Sequence, residues 1–138
     1  MAIKTDQGRH MPELPEEARR LLDAPNYATV TSINPDGSPQ STVVWVRTDG
    51  DEVLFSTVRG RVKPRNFDRD PRTSLLVIDP DNPYRYVEVR GRVEVEEDPE
   101  GELIEELSQK YRGQPWQDKP GTERLIIRIR PDKVTVRG

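Results

Sequence analysis

The chain of 138 residues contains no cysteine, which excludes disulfides, iron–sulfur clusters and thiolate chemistry. Its one histidine, His10, falls in a polar N-terminal stretch, where ordered catalytic residues are rare. Serine–histidine and cysteine–histidine pairs and the usual zinc patterns are lost with it, so no metal is expected. No apolar run reaches the length of a membrane span and no signal peptide is visible, which predicts a cytoplasmic protein with no membrane contact. Aromatic residues make up only 6% and the net charge is −3, a poor composition for a nucleic-acid stacking platform or a duplex-tracking surface. With conventional catalytic side chains so scarce, an enzyme of this sequence is expected to take its chemistry from a bound cofactor.

What the chain does have is charge: 34% of residues are charged against 32% hydrophobic. Such a lean core suits one domain, expected over residues 12–138 after a flexible tail at 1–11, with a subunit interface supplying further burial. Thirteen prolines and nine glycines predict many turns between short strands. A helix is expected from Pro12 to Asp23, where Leu14, Ala18, Leu21 and Leu22 approach helical spacing. Strands are expected at Tyr27–Ile33, Ser41–Arg47 and Val53–Thr57, punctuated by Asn34-Pro-Asp-Gly37 and Asp49-Gly50. Thr73–Asp79 and Tyr84–Val95 read as two more strands, with Val87, Val89, Val93 and Val95 on one face and a bulge or close approach at Gly91. Asp98 is the expected cap and Pro99 the first residue of a helix running to Tyr111. A loop carrying Trp116 and a final strand from Glu123 to Val136, bent near Pro131, complete the chain. Strands dominate without βαβ alternation, so the fold class is mainly β, an antiparallel barrel with flanking helices.

Between the third and fourth strands lies Arg59-Gly-Arg-Val-Lys-Pro-Arg-Asn-Phe-Asp-Arg-Asp-Pro-Arg72, in which six of fourteen residues are basic. Pro64 suits the first position of a helix and Pro71 its stop. Cations at that helix's N-terminus oppose its dipole, and a bound anion relieves the conflict. The segment is therefore read as the grip for a phosphorylated ligand; solvated arginines, or pairing to Asp68 and Asp70, is the plainer alternative. Arg124, Arg128 and Arg130 share one face of the last strand. They either extend an anion track or form a solvated face paired to Glu88 and Glu94, the latter being favoured.

The segments Ala28-Thr-Val-Thr, Asp36-Gly-Ser-Pro-Gln40, Val43-Val-Trp-Val, Leu54-Phe-Ser-Thr57, Arg61-Val-Lys-Pro-Arg-Asn66, Asp70-Pro-Arg72 and Val89-Arg-Gly-Arg-Val-Glu94 resemble, in order and spacing, the split β-barrel proteins of the pyridoxamine 5′-phosphate oxidase-like group. Within it the chain resembles the small deazaflavin-dependent reductases that use coenzyme F420, and the resemblance covers about Leu14 to Val136. It implies a homodimer with two cofactor sites at the interface and hydride transfer from reduced coenzyme F420 to a small activated acceptor. It implies a ring lying against the strand backbone between Gln40 and Trp45, Val44 included. Ser56, Thr57, Arg61, Lys63 and Asn66, with the backbone of Val62, would hold the phosphate region, and Ile78 and Asp79 would border the ring. The residue types agree: Arg61 offers a planar fork, Lys63 a point charge, Ser56 and Thr57 hydroxyls. Ordinary turn and capping roles remain open for Ser56, Thr57 and Asn66. Gln40 either bonds the ring's carbonyl edge or ends a hairpin, and Trp45 either walls the pocket or packs at an interface. Tyr84 and Tyr86 are expected to contact substrate or ring, and the Trp116 loop is expected to close over a neighbouring subunit's site. Two alternatives stand beside the leading reading: FMN in place of coenzyme F420, and a carrier of F420 or a tetrapyrrole without turnover.

Overall fold

The computed structural model describes residues 11–138; all but Met11 of the expected tail, with His10, lies outside them. Helix α1 (Glu16–Asp23) is followed by strands β1 (Ala28–Ile33), β2 (Pro39–Val44), β3 (Arg47–Asp49) and β4 (Glu52–Val58). Helix α2 (Val62–Arg69), strands β5 (Arg72–Asp79) and β6 (Asn82–Glu97), helix α3 (Glu102–Arg112) and strand β7 (Arg124–Arg137) complete the chain. The seven strands form one antiparallel sheet in the order β2-β1-β5-β6-β7-β4-β3. Its two open edges, β2 and β3, are consecutive in sequence. The single strand expected at Ser41–Arg47 is broken at Trp45-Val46, and this break leaves the barrel split.

The interior is filled from one side of the curled sheet by Val30, Val53, Phe55, Leu75, Val77, Val87, Val89, Ile127 and Ile129, all fully buried. Helix α1 closes the interior by inserting Ala18 and Leu22, with Leu14 from the segment just before it. It begins at Glu16 rather than Pro12 because Pro15, at its N-cap with ψ 156°, holds the preceding chain extended. Arg19 anchors it by an ion pair to Asp51 at 2.9 Å. A smaller cluster outside the sheet packs Leu103 and Leu107 of α3 on Leu54, with Trp45, Tyr111 and Ile126 around them. Strand β4 is thus buried on both faces between the two clusters.

Three expectations are corrected in detail. Pro64 is the third residue of α2, not the first, because Arg61 occupies the N-cap. Helix α3 starts after Gly101, not at Pro99. Asp98 still satisfies its first turn, accepting the N–H groups of Glu102 at 3.1 Å and Leu103 at 3.0 Å. Val95 is exposed while Val87, Val89 and Val93 are buried. Between the buried valines the β6–β7 register shifts at Arg90/Gly91, opposite Pro131. The close approach expected at Gly91 is real: a Cβ there would lie 2.2 Å from the Arg130 carbonyl oxygen.

Candidate functional site

At the end of β4 the chain turns sharply through Gly60, φ 96°, and enters α2. This places Ser56 and Thr57 beside Arg61 and Lys63 on one wall of a groove of about 280 Å³. Facing them are Val43, Val44 and Trp45 at the break between β2 and β3, with Tyr27 and the Trp116 loop. The aromatic side is braced. Trp45 stacks on Tyr111 at 5.3 Å between centroids, and Trp116 meets Trp45 edge-on at 5.8 Å. The Tyr111 hydroxyl accepts the Val46 N–H at 3.0 Å and donates to the Asn26 carbonyl at 2.8 Å. Lys110 donates to the Leu22 and Val46 carbonyls. Both residues of α3 therefore fasten the broken strand by its backbone.

Charge on the other wall is unbalanced. Two neighbouring arginines are paired, Arg59 with Glu97 and Glu123 and Arg72 with Asp70. Among the described residues no carboxylate lies within ion-pair distance of Arg61 or Lys63. Burial, and then the nearby Arg61 guanidinium, hold the Lys63 ammonium below its usual range. The first turn of α2 holds no acid, so its N–H groups add to the positive field. Thr57 is 1% exposed, and its hydroxyl has no hydrogen-bond partner. A buried polar atom without a partner is costly unless something meets it. Two unpaired cations beside such a hydroxyl fit an anionic, oxygen-rich group such as a phosphate.

Of the residues expected at the site, Val44, Ser56, Thr57, Arg61 and Lys63 are brought together in this groove. Val62 is exposed in the first turn of α2. Asn66, 2% exposed, faces inward and is committed to the protein. It donates to Ser32 Oγ at 2.9 Å and Asn34 Oδ1 at 3.0 Å and accepts from Arg69 at 2.8 Å. Gln40 pairs with Ser32 in the β1–β2 ladder and accepts its hydroxyl at 3.4 Å. Ile78 lines a separate cavity of about 540 Å³ with Tyr86, Lys133 and Arg137, and Asp79 closes the β5–β6 turn by accepting the Asp81 N–H.

The three arginines of β7 do not act alike, which corrects the solvated-face expectation. Arg128 is paired with Asp49, Glu52 and Glu96, and Arg130 with Glu52 and Glu94. Arg124 is instead buried, 7% exposed, and lines the groove. Asp118 holds its Nε and one terminal nitrogen at 2.9 Å each, while the other reaches Ser56 Oγ at 3.3 Å. Sequence alternation put Arg124 on the right face. What it lacked was Asp118, which the 113–123 connection delivers.

An open antiparallel barrel with a cationic, aromatic-walled groove at its split defines a split-barrel protein. The profile of the pyridoxamine 5′-phosphate oxidase family matches residues 14–138, and the chain belongs to that family. A solved F420 reductase is 39% identical, with a TM-score of 0.79 over 88% of this chain and 98% of its own. A conserved hypothetical protein from Mycobacterium tuberculosis is 24% identical, with a TM-score of 0.75 over 98% and 89%. General Stress Protein 26 from Bacillus anthracis is 18% identical, with a TM-score of 0.69 over 88% and 92%. These last two likenesses speak for the fold alone. No curated protein matches the chain in sequence.

Proposed function

We propose that the protein is an oxidoreductase that uses coenzyme F420 to reduce a small, conjugated acceptor. The observation that carries this reading is that Arg61 and Lys63, with no carboxylate paired to them, line one groove with Thr57, whose buried hydroxyl has no partner. The similarity to an F420 reductase supports the choice of cofactor. Arg61, Lys63 and the first turn of α2 bind the anionic part, with Ser56 and Thr57 contributing hydroxyls. Val43, Val44 and Trp45 support the ring plane and exclude water from it. When bound, the deazaflavin supplies the hydride, so no side chain need act as a strong base. A groove of about 280 Å³ is small for such a ligand. That favours a site completed by a second copy of the chain, whose exposed Ile78 and Tyr84, with Asp79, would border the ring from the other side.

FMN is the second reading, and one observation favours it. Arg124, Arg128 and Arg130 are held in ion pairs, so the unpaired cations that line the groove are Arg61 and Lys63, which suits a single phosphate.

Fluorescence titration of the protein against both cofactors separates these readings. Arg61→Ala with Lys63→Ala is expected to weaken the true cofactor at least tenfold while leaving the fold intact. Each lost charge-assisted contact costs about 1.5–3 kcal/mol. Unchanged affinity in the double variant would move the site elsewhere. Stopped-flow oxidation of the reduced cofactor by quinones and enones then distinguishes an enzyme from a carrier.

A further inference from the structure

Behind the aromatic wall lies a second cavity of about 490 Å³, between the start of α3 and the connection 113–123. Trp116, Ile104 and Arg124 line both it and the groove, and so form the partition between them. The two sides differ in charge. The groove side carries Arg61 and Lys63, and the far side carries Glu102, Glu105 and Glu106.

Trp116 is the movable part of that partition, because it belongs to an irregular connection while Ile104 and Arg124 sit on α3 and β7. It is nevertheless fixed on every side. Its backbone N–H donates to Glu105 Oε1 at 3.0 Å, and its indole N–H to Asp118 Oδ1 at 2.9 Å. The guanidinium groups of Arg124 and Arg112 lie 5.3 and 5.5 Å from its ring centre, at cation–π distance. Hydrogen bonds from Arg124, and secondarily from the indole, hold the Asp118 carboxyl below its usual range. The latch therefore stays charged through neutral pH. With two guanidinium groups against its ring and Trp45 at right angles to it, the indole serves as a stop rather than as a stacking platform.

We propose that Trp116 is the specificity-determining residue of the groove: it ends the acceptor's space at the size of a small ring system and shuts out the acid-lined cavity behind. The proposal rests on the reading of the groove as a cofactor and acceptor site. Replacing the indole with a methyl group joins the two spaces. The polar lining of the far cavity keeps it hydrated, and its carboxylates then favour an acceptor with a cationic arm.

The test measures equilibrium dialysis of menadione and of two naphthoquinones whose side arms end in trimethylammonium or carboxylate, each with and without coenzyme F420. Wild type is expected to bind menadione and to bind both armed quinones at least tenfold more weakly. Trp116→Ala should gain at least tenfold for the cationic arm and gain nothing for the carboxylate arm. Ile104→Ala opens the same partition from α3 and should reproduce the gain should the tryptophan variant fold poorly. The proposal is overturned by unchanged affinity for the cationic arm in both variants. It is equally overturned if Trp116→Ala weakens coenzyme F420 as much as the Arg61, Lys63 double variant does. If coenzyme F420 binds no form while the cationic gain persists, the cofactor reading falls and the partition stands.

Discussion

The hydroxyl of Thr57 is buried without a partner while its strand pairs with β7 opposite Leu125. Folding gains nothing from that oxygen and bears its desolvation. Thr57→Val keeps the β-branched shape and removes it. Chemical denaturation of the ligand-free protein should therefore show the variant equal to or about 1 kcal/mol more stable than wild type. Cofactor titration should show it binding several-fold more weakly. A variant that loses stability instead would mean that the hydroxyl is satisfied by the protein. The sequence made Thr57 a candidate through its neighbours, but neither its burial nor its lack of a partner was legible there. Both depend on β7, whose Leu125 pairs with Thr57 from a distant part of the chain. Asn66 shows the reverse. It stands in the same basic motif, yet its amide is spent on Ser32 and Asn34, more than thirty residues away in sequence. Its work is to fasten α2 to the first hairpin.

Elements were legible wherever local chemistry alone sets them. The Asn34-Pro-Asp-Gly37 turn forms as expected, with Asp36 Oδ1 accepting the Ser38 N–H at 3.0 Å and Gly37 at φ 86°. Boundaries moved where two local signals competed. Asp98 and Pro99 both signal a helix start, but Gly101, at φ 65°, takes the N-cap. Asp98 then reaches over from three residues outside. Removing this carboxylate leaves two N–H groups of α3 unsatisfied at a site only 6% exposed. Asp98→Ala should cost about 1–2 kcal/mol, read from denaturant midpoints at constant m-value. Because α3 carries Tyr111 and Lys110, the same variant should loosen the Trp45 wall and change tryptophan emission. The break between β2 and β3 could not be read from Ser41-Thr-Val-Val-Trp-Val-Arg47, which is a good continuous strand by propensity. It arises because Tyr111 and Lys110 take both backbone groups of Val46 away from any neighbouring strand.

Across the whole molecule, two features set stability. The first is the bend where β6 and β7 cross. Backbone atoms of Arg130 and Pro131 stand where a Gly91 side chain would go, so Gly91→Ala must displace the main chain of two long strands. A loss of about 1–3 kcal/mol is expected, measurable as a lowered melting temperature, and near-wild-type melting would mean that the bend is compliant. The second is Lys110, which burial pulls down to about 8 despite the opposing charge of Asp23. Its folded-state pKa lies below that of an ordinary lysine, so between about pH 8 and 10 the unfolded chain holds a proton that the folded chain has released. Stability from this group therefore rises with pH in that window. Lys110→Arg, which cannot release its proton there, should lack the rise, and the difference between the two pH–melting profiles isolates it.

The two ends of the sheet are neighbours in the chain, separated only by Trp45 and Val46. The groove sits on this seam, so an occupant works as a suture between strands that otherwise have no ladder partner on their outer sides. Amide hydrogen exchange at Val43 to Arg47 would then slow far more on occupancy than exchange in β5 or β6. The same stretch would be the first place where the emptied barrel begins to unzip.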